Sequence, residues 1–217
     1  MNRTLAVAAA STLFTLSTPV LANNLSGFFV GADATIAESY NFDATFLNAV
    51  RENDVGDVEG IGISDSFGSF DVKAGYNFDL GSKLFVGLEA NYNLSGIDEA
   101  FFESTSRSTN SIAKEDSYGI RAKIGRLVSD DTAFYGILGY QITDFELTSV
   151  DSETSVNTND HGGITYGVGA TYSVAPNVLI TAEAVRTDYS SEKYFQGADV
   201  DPNETKINLG IAYRFDI

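Results

Sequence analysis

KINLGIAYRF, residues Lys206 to Phe215, is the stretch on which the fold turns. Ile207, Leu209, Ile211, Tyr213 and Phe215 alternate with Asn208, Gly210, Ala212 and Arg214. A strand sends successive side chains to opposite faces, so the large apolar groups share one side. In a soluble sheet that side packs on a core. In a transmembrane barrel it meets lipid, and the small, polar side meets the lumen.

Upstream, similar runs recur. Gly27 to Ile36 puts Phe28, Val30, Ala32, Ala34 and Ile36 on one face. Phe67 to Phe78 sets Phe70, Val72, Ala74, Tyr76 and Phe78 against Asp71, Lys73, Gly75 and Asn77. Lys83 to Leu94 sets Leu84, Val86, Leu88, Ala90, Tyr92 and Leu94 against Gly87, Glu89, Asn91 and Asn93. Ser117 to Leu127, Gly163 to Val174 and the run from Val178 follow the same rule. Thr132 to Phe145 carries large residues in both phases, and alternation alone does not assign its faces.

Each run suits a tilted membrane-spanning strand of ~9–11 residues. The second, fourth and sixth runs end in short turns, at Asp79 to Ser82, Ser129 to Asp131 and Pro176-Asn177. The other connections are long and polar: Ala37 to Ser66, Ser95 to Asp116, Glu146 to Gly162 and Tyr189 to Thr205. Short turns at one end and long loops at the other predict an all-β, eight-stranded antiparallel up-and-down transmembrane β-barrel. The even strand number puts both termini at the short-turn end, the periplasm. A soluble lipocalin-like ligand barrel is the alternative. It would turn the phase rich in Gly, Thr and Asn to water, which makes a poor solvent coat.

Composition agrees with the membrane reading. Mean hydropathy is near zero, as expected where every second residue is polar. Cys and Trp are absent, while Tyr and Phe number 11 and 15, enough for aromatic girdles. A net charge of −17 disfavours a nucleic-acid role, which needs Lys and Arg against phosphate. Met1 to Ala22 reads as a secretory signal, with Arg3, an apolar run and Val20-Leu21-Ala22 at the cleavage site. Residues 23–217 would then form one barrel domain.

The segments VGLEANYNL (from Val86), YGILGYQ (from Tyr135), TYGVGATYSVAPNVLITAEA (from Thr165) and INLGIAYRF (from Ile207) resemble the small eight-stranded outer-membrane barrels. These are the OmpA transmembrane domain, OmpX and the opacity-type adhesins. The resemblance implies a Gram-negative outer membrane, with membrane lipid, lipopolysaccharide and the barrel-assembly machinery as partners. It implies a structural or adhesive role, with a surface or host-cell ligand met through the loops, and a small porin or gated channel as the alternative. The last strand is similar to the assembly signal of that class at Asn208, Gly210, Tyr213 and Phe215, although Asp216 and Ile217 follow the final aromatic.

In such a barrel the inward phase carries Asp33, Asp71, Lys73, Glu89, Arg121, Lys123, Glu183 and Arg214. Isolated charges in a narrow lumen are costly, so these are expected to pair. They form either a sealed polar core or a small ion path. The long connections concentrate acid: −6 in the first, −3 in the second, −4 in the third and, with Asp188 at its edge, −4 in the fourth. Such a rim repels polyanions and attracts basic partners. Asp199, Asp201, Asn203 and Glu204 form a weak candidate calcium cluster, interrupted by Pro202 and unlike an EF-hand. Phe42, Phe46, Leu47, Phe101 and Phe102 are loop hydrophobes that either pack together or meet a partner.

Catalysis is not expected. His161, beside Asp160, is the single histidine, and twelve residues separate it from Ser173. At ~3.3 Å per strand residue, that is far beyond contact. No Gly-rich phosphate loop and no cofactor motif is present.

Overall fold

Period-two alternation is expressed as a closed ring of strands in a computed structural model. It describes residues 25–46, 56–65, 69–94, 100–103, 109–150, 154–193 and 199–215. The strands are β1 (Gly27–Phe46), β2 (Gly56–Asp65), β3 (Phe70–Gly81), β4 (Leu84–Leu94), β5 (Ala100–Glu103), β6 (Thr109–Leu127), β7 (Thr132–Val150), β8 (Thr154–Ala175), β9 (Val178–Tyr189), β10 (Glu192–Lys193) and β11 (Asp199–Phe215). Eight of them pair in the antiparallel order β1-β3-β4-β6-β7-β8-β9-β11. β11 returns to β1, with Phe28 opposite Phe215 and Val30 opposite Tyr213. Closure removes the open edges that would otherwise recruit other strands. The short β2, β5 and β10 add to β1, β6 and β11 at the long-connection end.

The large apolar phase faces outward. Leu88, Ile120, Ile124, Leu138, Val168 and Ile211 are all more than half exposed on the outer wall. On β4, the outward set from Leu84 to Leu94 spans ten residue steps. At ~3.3 Å per step and a ~40° tilt it covers about 25 Å, the height of an outer-membrane hydrocarbon belt. Phe28, Phe78, Phe134, Tyr172, Tyr213 and Phe215 ring the belt at the turn end. Phe70, Tyr92, Tyr118, Tyr140 and Tyr166 border it at the other, with Tyr92 directly opposite Tyr118. Amphipathic rings at both borders and aliphatic groups between them mark the membrane-spanning zone.

β7 resolves the run whose faces alternation left open. Ala133, Tyr135, Ile137, Gln141 and Thr143 point in, while Phe134, Leu138 and Tyr140 point out. Its large inward residues belong to a small apolar cluster near the turns, with Leu25, Phe29, Phe85, Leu127, Leu179, Val185 and Ala212. The expectation of a uniformly polar lumen is therefore corrected at its turn end. Gly169 makes room there, since a Cβ on it would stand 2.5 Å from the Tyr135 ring.

Several strands also run past their expected ends. β7 and β8 stay paired from Thr132–Tyr172 out to Val150–Thr154, so most of the third long connection is hairpin. β1 continues ten residues beyond Ile36, to Phe46. Beyond the lipid zone both strand faces meet water, so the alternation that reveals a strand fades while backbone pairing persists. The signal segment 1–22 and the side chains of Phe42, Phe46, Leu47, Phe101 and Phe102 lie outside the described residues.

Candidate functional site

The lumen is the candidate site, and its charges fall into two clusters. The first sits above the apolar cluster. Lys73 Nζ donates to Asp33 Oδ1 at 2.6 Å and to Thr181 Oγ1 at 3.1 Å. Lys123 Nζ bridges Glu89 Oε2 at 2.6 Å and Glu183 Oε1 at 2.8 Å. Tyr135 donates its hydroxyl to Glu183 at 2.7 Å, and Lys123 lies 5.1 Å above the same ring. Arg121 Nη1 stands off at 3.9 Å from Glu89 and 3.7 Å from Glu183. All of these charged groups are buried.

The second cluster lies toward the long connections. Glu204 Oε1 accepts from Lys114 at 2.6 Å and from Lys206 at 2.9 Å. Glu38 Oε1 sits 3.5 and 3.4 Å from the same two ammonium groups. Tyr189 donates to Glu204 Oε2 at 2.8 Å and receives Gln141 Nε2 at 2.8 Å. By sequence, Glu38, Lys114 and Glu204 fall within the long connections and so on the acidic rim, which the structure corrects. All three point into the barrel. The first and fourth connections each lose an acid from the rim, and the second loses its Lys.

β-Bulges cause two of these reassignments. One between Thr35 and Ala37 inserts an extra residue, which turns Ala37 outward and Glu38 inward, opposite Lys206. Another between Lys114 and Ser117 does the same for Lys114. Nothing in the alternation announces such a phase slip. Lys206 and His161 needed no bulge. Lys206 opens the expected last strand in the phase of Asn208, and His161 shares the phase of Thr165, which a longer strand would extend to it.

The remaining expected positions fall as follows. Asp71 is buried between the two clusters. Arg214 faces inward at the turn end, where Nη2 donates to the Pro176 carbonyl at 2.8 Å. Asn208 accepts from Thr35 Oγ1 at 3.0 Å. A Cβ on Gly210 would collide with Asp33 Oδ1 and lie 2.7 Å from Thr181 Oγ1, so glycine here makes room for the Asp33–Lys73 pair. Tyr213 and Phe215 face outward with ring centroids 5.0 Å apart. Within the calcium candidate, Glu204 is taken by two lysines inside the lumen. Asn203 follows the opposite phase, and the side chains of Asp199 and Asp201 lie outside the described residues. Among the described residues no group of three His, Asp or Glu side chains is placed to hold a metal ion. Asp160 is exposed, whereas His161 is buried with Nδ1 3.1 Å from the Ser190 carbonyl oxygen.

A closed antiparallel ring with an apolar outer belt and an ion-paired interior defines a transmembrane β-barrel. The family model described as the outer membrane protein beta-barrel domain matches residues 6–215, and the chain belongs to that family. No curated protein sequence matches it. Among solved structures it is similar to the outer membrane protease OmpT of Escherichia coli, at 11% identity and a TM-score of 0.53, over 93% of this chain and 99% of that one. It is also similar to the outer membrane protein OprG of Pseudomonas aeruginosa, at 13% identity and a TM-score of 0.51, over 88% and 97% of the two chains. Ail of Yersinia pestis, solved with the heparin analogue sucrose octasulfate, aligns at 14% identity and a TM-score of 0.44, over 87% and 100%. At these identities the likeness to OmpT and OprG concerns the fold alone.

Proposed function

We propose that the protein is a non-catalytic outer-membrane barrel that holds acidic ribbons and loops at the cell surface to contact basic partners. Residues 1–22 act as the export signal, and both termini face the periplasm. The barrel-assembly machinery reads the last strand through Asn208, Gly210, Tyr213 and Phe215, and lipopolysaccharide surrounds the outer border. The observation that carries this reading is the cross-braced interior, with the bridges from Lys123 and Lys114 tying distant strands together. A void of about 30 Å³ beside Lys73, Glu89 and Lys123 is room for roughly one water. His161 and Asp160 point to opposite faces, which supports the absence of catalysis.

The test is adhesion of cells displaying the protein. They are expected to bind beads coated with polylysine and to ignore heparin-coated beads. Replacing Asp54, Asp57 and Glu59 by Asn or Gln should weaken the polylysine binding. Preference for heparin would overturn the reading.

The standoff of Arg121 favours a second reading, a narrow ion path. Arg121→Ala separates the two in planar bilayers. A sealed core loses stability without changing conductance, whereas a path gains conductance.

A further inference from the structure

Between the two charge clusters lies a row of inward polar groups that neither cluster uses. Register sets Asp71 opposite Asn93, and Asn93 opposite Ser117, along β3, β4 and β6, while across β1 Asp71 faces Asp33 of the inner cluster. Asn91 lies two residues from Asn93 in the same phase. Asp71, Asn93 and Ser117 are at most 1% exposed, and Asn91 is 5% exposed. Both carboxylate oxygens of Asp71, both polar atoms of each asparagine and the Ser117 hydroxyl lack a hydrogen-bond partner. Directly opposed residues hold their Cβ atoms ~5 Å apart, and on a concave wall their polar ends converge.

Charge balance singles out Asp71. Below it, Asp33, Glu89 and Glu183 are matched by Lys73, Arg121 and Lys123. Above it, Glu38 and Glu204 are matched by Lys114 and Lys206. Asp71 makes no ion pair with either set. Arg214 stands four residues below Gly210, the β11 neighbour of Asp33, or ~13 Å along the strand. Arg121 and Lys206 feel its charge from farther off, and a buried carboxylate with no direct cation partner is among the costliest groups a fold can hold.

We propose that Asp71, with the side-chain oxygens of Asn91, Asn93 and Ser117, binds one dehydrated alkali cation, sodium being the probe, in the middle of the lumen. The donors are all hard oxygens, the ligands such an ion takes. One carboxylate among neutral oxygens matches a single positive charge. A divalent ion would leave the middle layer net positive between two balanced clusters. The bound ion braces β3, β4 and β6 from inside, so it stabilises the barrel and does not depend on what the surface binds.

The experiment uses the full mature barrel in detergent, with heat-modifiable gel migration as the folding assay. Apparent melting temperature is compared in sodium chloride and in N-methylglucamine chloride at equal ionic strength. Sodium at about ten times its dissociation constant should raise it by roughly 3–6 °C. Asp71→Asn keeps the shape and removes the charge, so it should abolish the difference between salts. Broadening of the sodium-23 resonance by wild-type protein supplies a second readout. Should Asp71→Asn not fold, Asn93→Leu, which removes a neutral donor, is expected to weaken both effects. Equal melting in both salts without broadening overturns the site and leaves water, a proton or a shifted Arg121 to satisfy Asp71. An unchanged sodium effect in Asp71→Asn or Asn93→Leu overturns it as well.

Discussion

The two charge clusters of the lumen are built from the same residue types by different means. The one nearer the turns stands on unbroken strands. Asp33, Lys73, Glu89, Arg121, Lys123 and Glu183 keep their alternation phase, and each can be found by counting in twos. The outer cluster depends on two inserted residues, which swing Glu38 and Lys114 inward to meet Glu204 and Lys206. Regular strands therefore write an interior into the sequence, whereas bulged strands conceal it.

The largest effect expected from disturbing this pairing comes from Gly210→Val. Its Cβ would fall on Asp33 Oδ1, which Lys73 holds at 2.6 Å, and Thr181 closes the other side. The folded, fast-migrating band on unboiled gels should be lost. A normal band would show that the inner cluster tolerates intrusion.

Next come Lys123→Met and Lys114→Met, compared by urea unfolding in the same detergent. Lys123→Met leaves Glu89 and Glu183 with the distant Arg121 as their ion-pair partner, Glu183 keeping the Tyr135 hydroxyl bond, and breaking a buried pair in this way costs about 3–5 kcal/mol. Lys114→Met should cost less, because Lys206 remains 2.9 Å from Glu204 and 3.4 Å from Glu38. The reverse order would mean that the bulged cluster carries more of the stability than the regular one.

The smallest effect lies outside both clusters, in the turn before β7. Ser129 and Thr132 hydroxyls donate to Asp131 at 2.5 and 3.0 Å, and these bonds hold its carboxyl below the usual 3.8. Because the folded value is depressed, the contribution is fully present above pH ~4–5 and is lost as acid carries the pH through the folded value. Asp131→Asn should flatten that slight acid dependence in a stability–pH profile and leave neutral stability nearly unchanged.

The ring itself was legible because lipid imposes a strict rule on one face: Leu88, Ile120 and Val168 must be apolar, and each is outward. Legibility failed where that rule lapses. Beyond the belt, β1, β6, β7, β8 and β11 continue as paired ribbons through polar sequence that reads as loop. β7 was ambiguous because Tyr135 and Ile137 fill an apolar floor inside the barrel while Phe134 and Leu138 meet lipid outside. Two hydrophobic environments, one on each side of a strand, erase the contrast that alternation needs. The middle row was visible in part, since Asp71, Asn91 and Asn93 stand in the expected inward phase. Only the register with Ser117 brings them together.

The ladder between β1 and β11 joins Phe28 to Phe215, nearly the full length of the described chain. No ribosome can deliver those partners close in time, because the last to form is also the last to be made. Until that seam zips, the strands at either end of the open sheet carry a row of bare amides and carbonyls that lipid will not solvate. Insertion is thus tied to completion: a nascent chain lacking β11 has no half-finished barrel to rest in, and it must stay pliant until its tail has emerged.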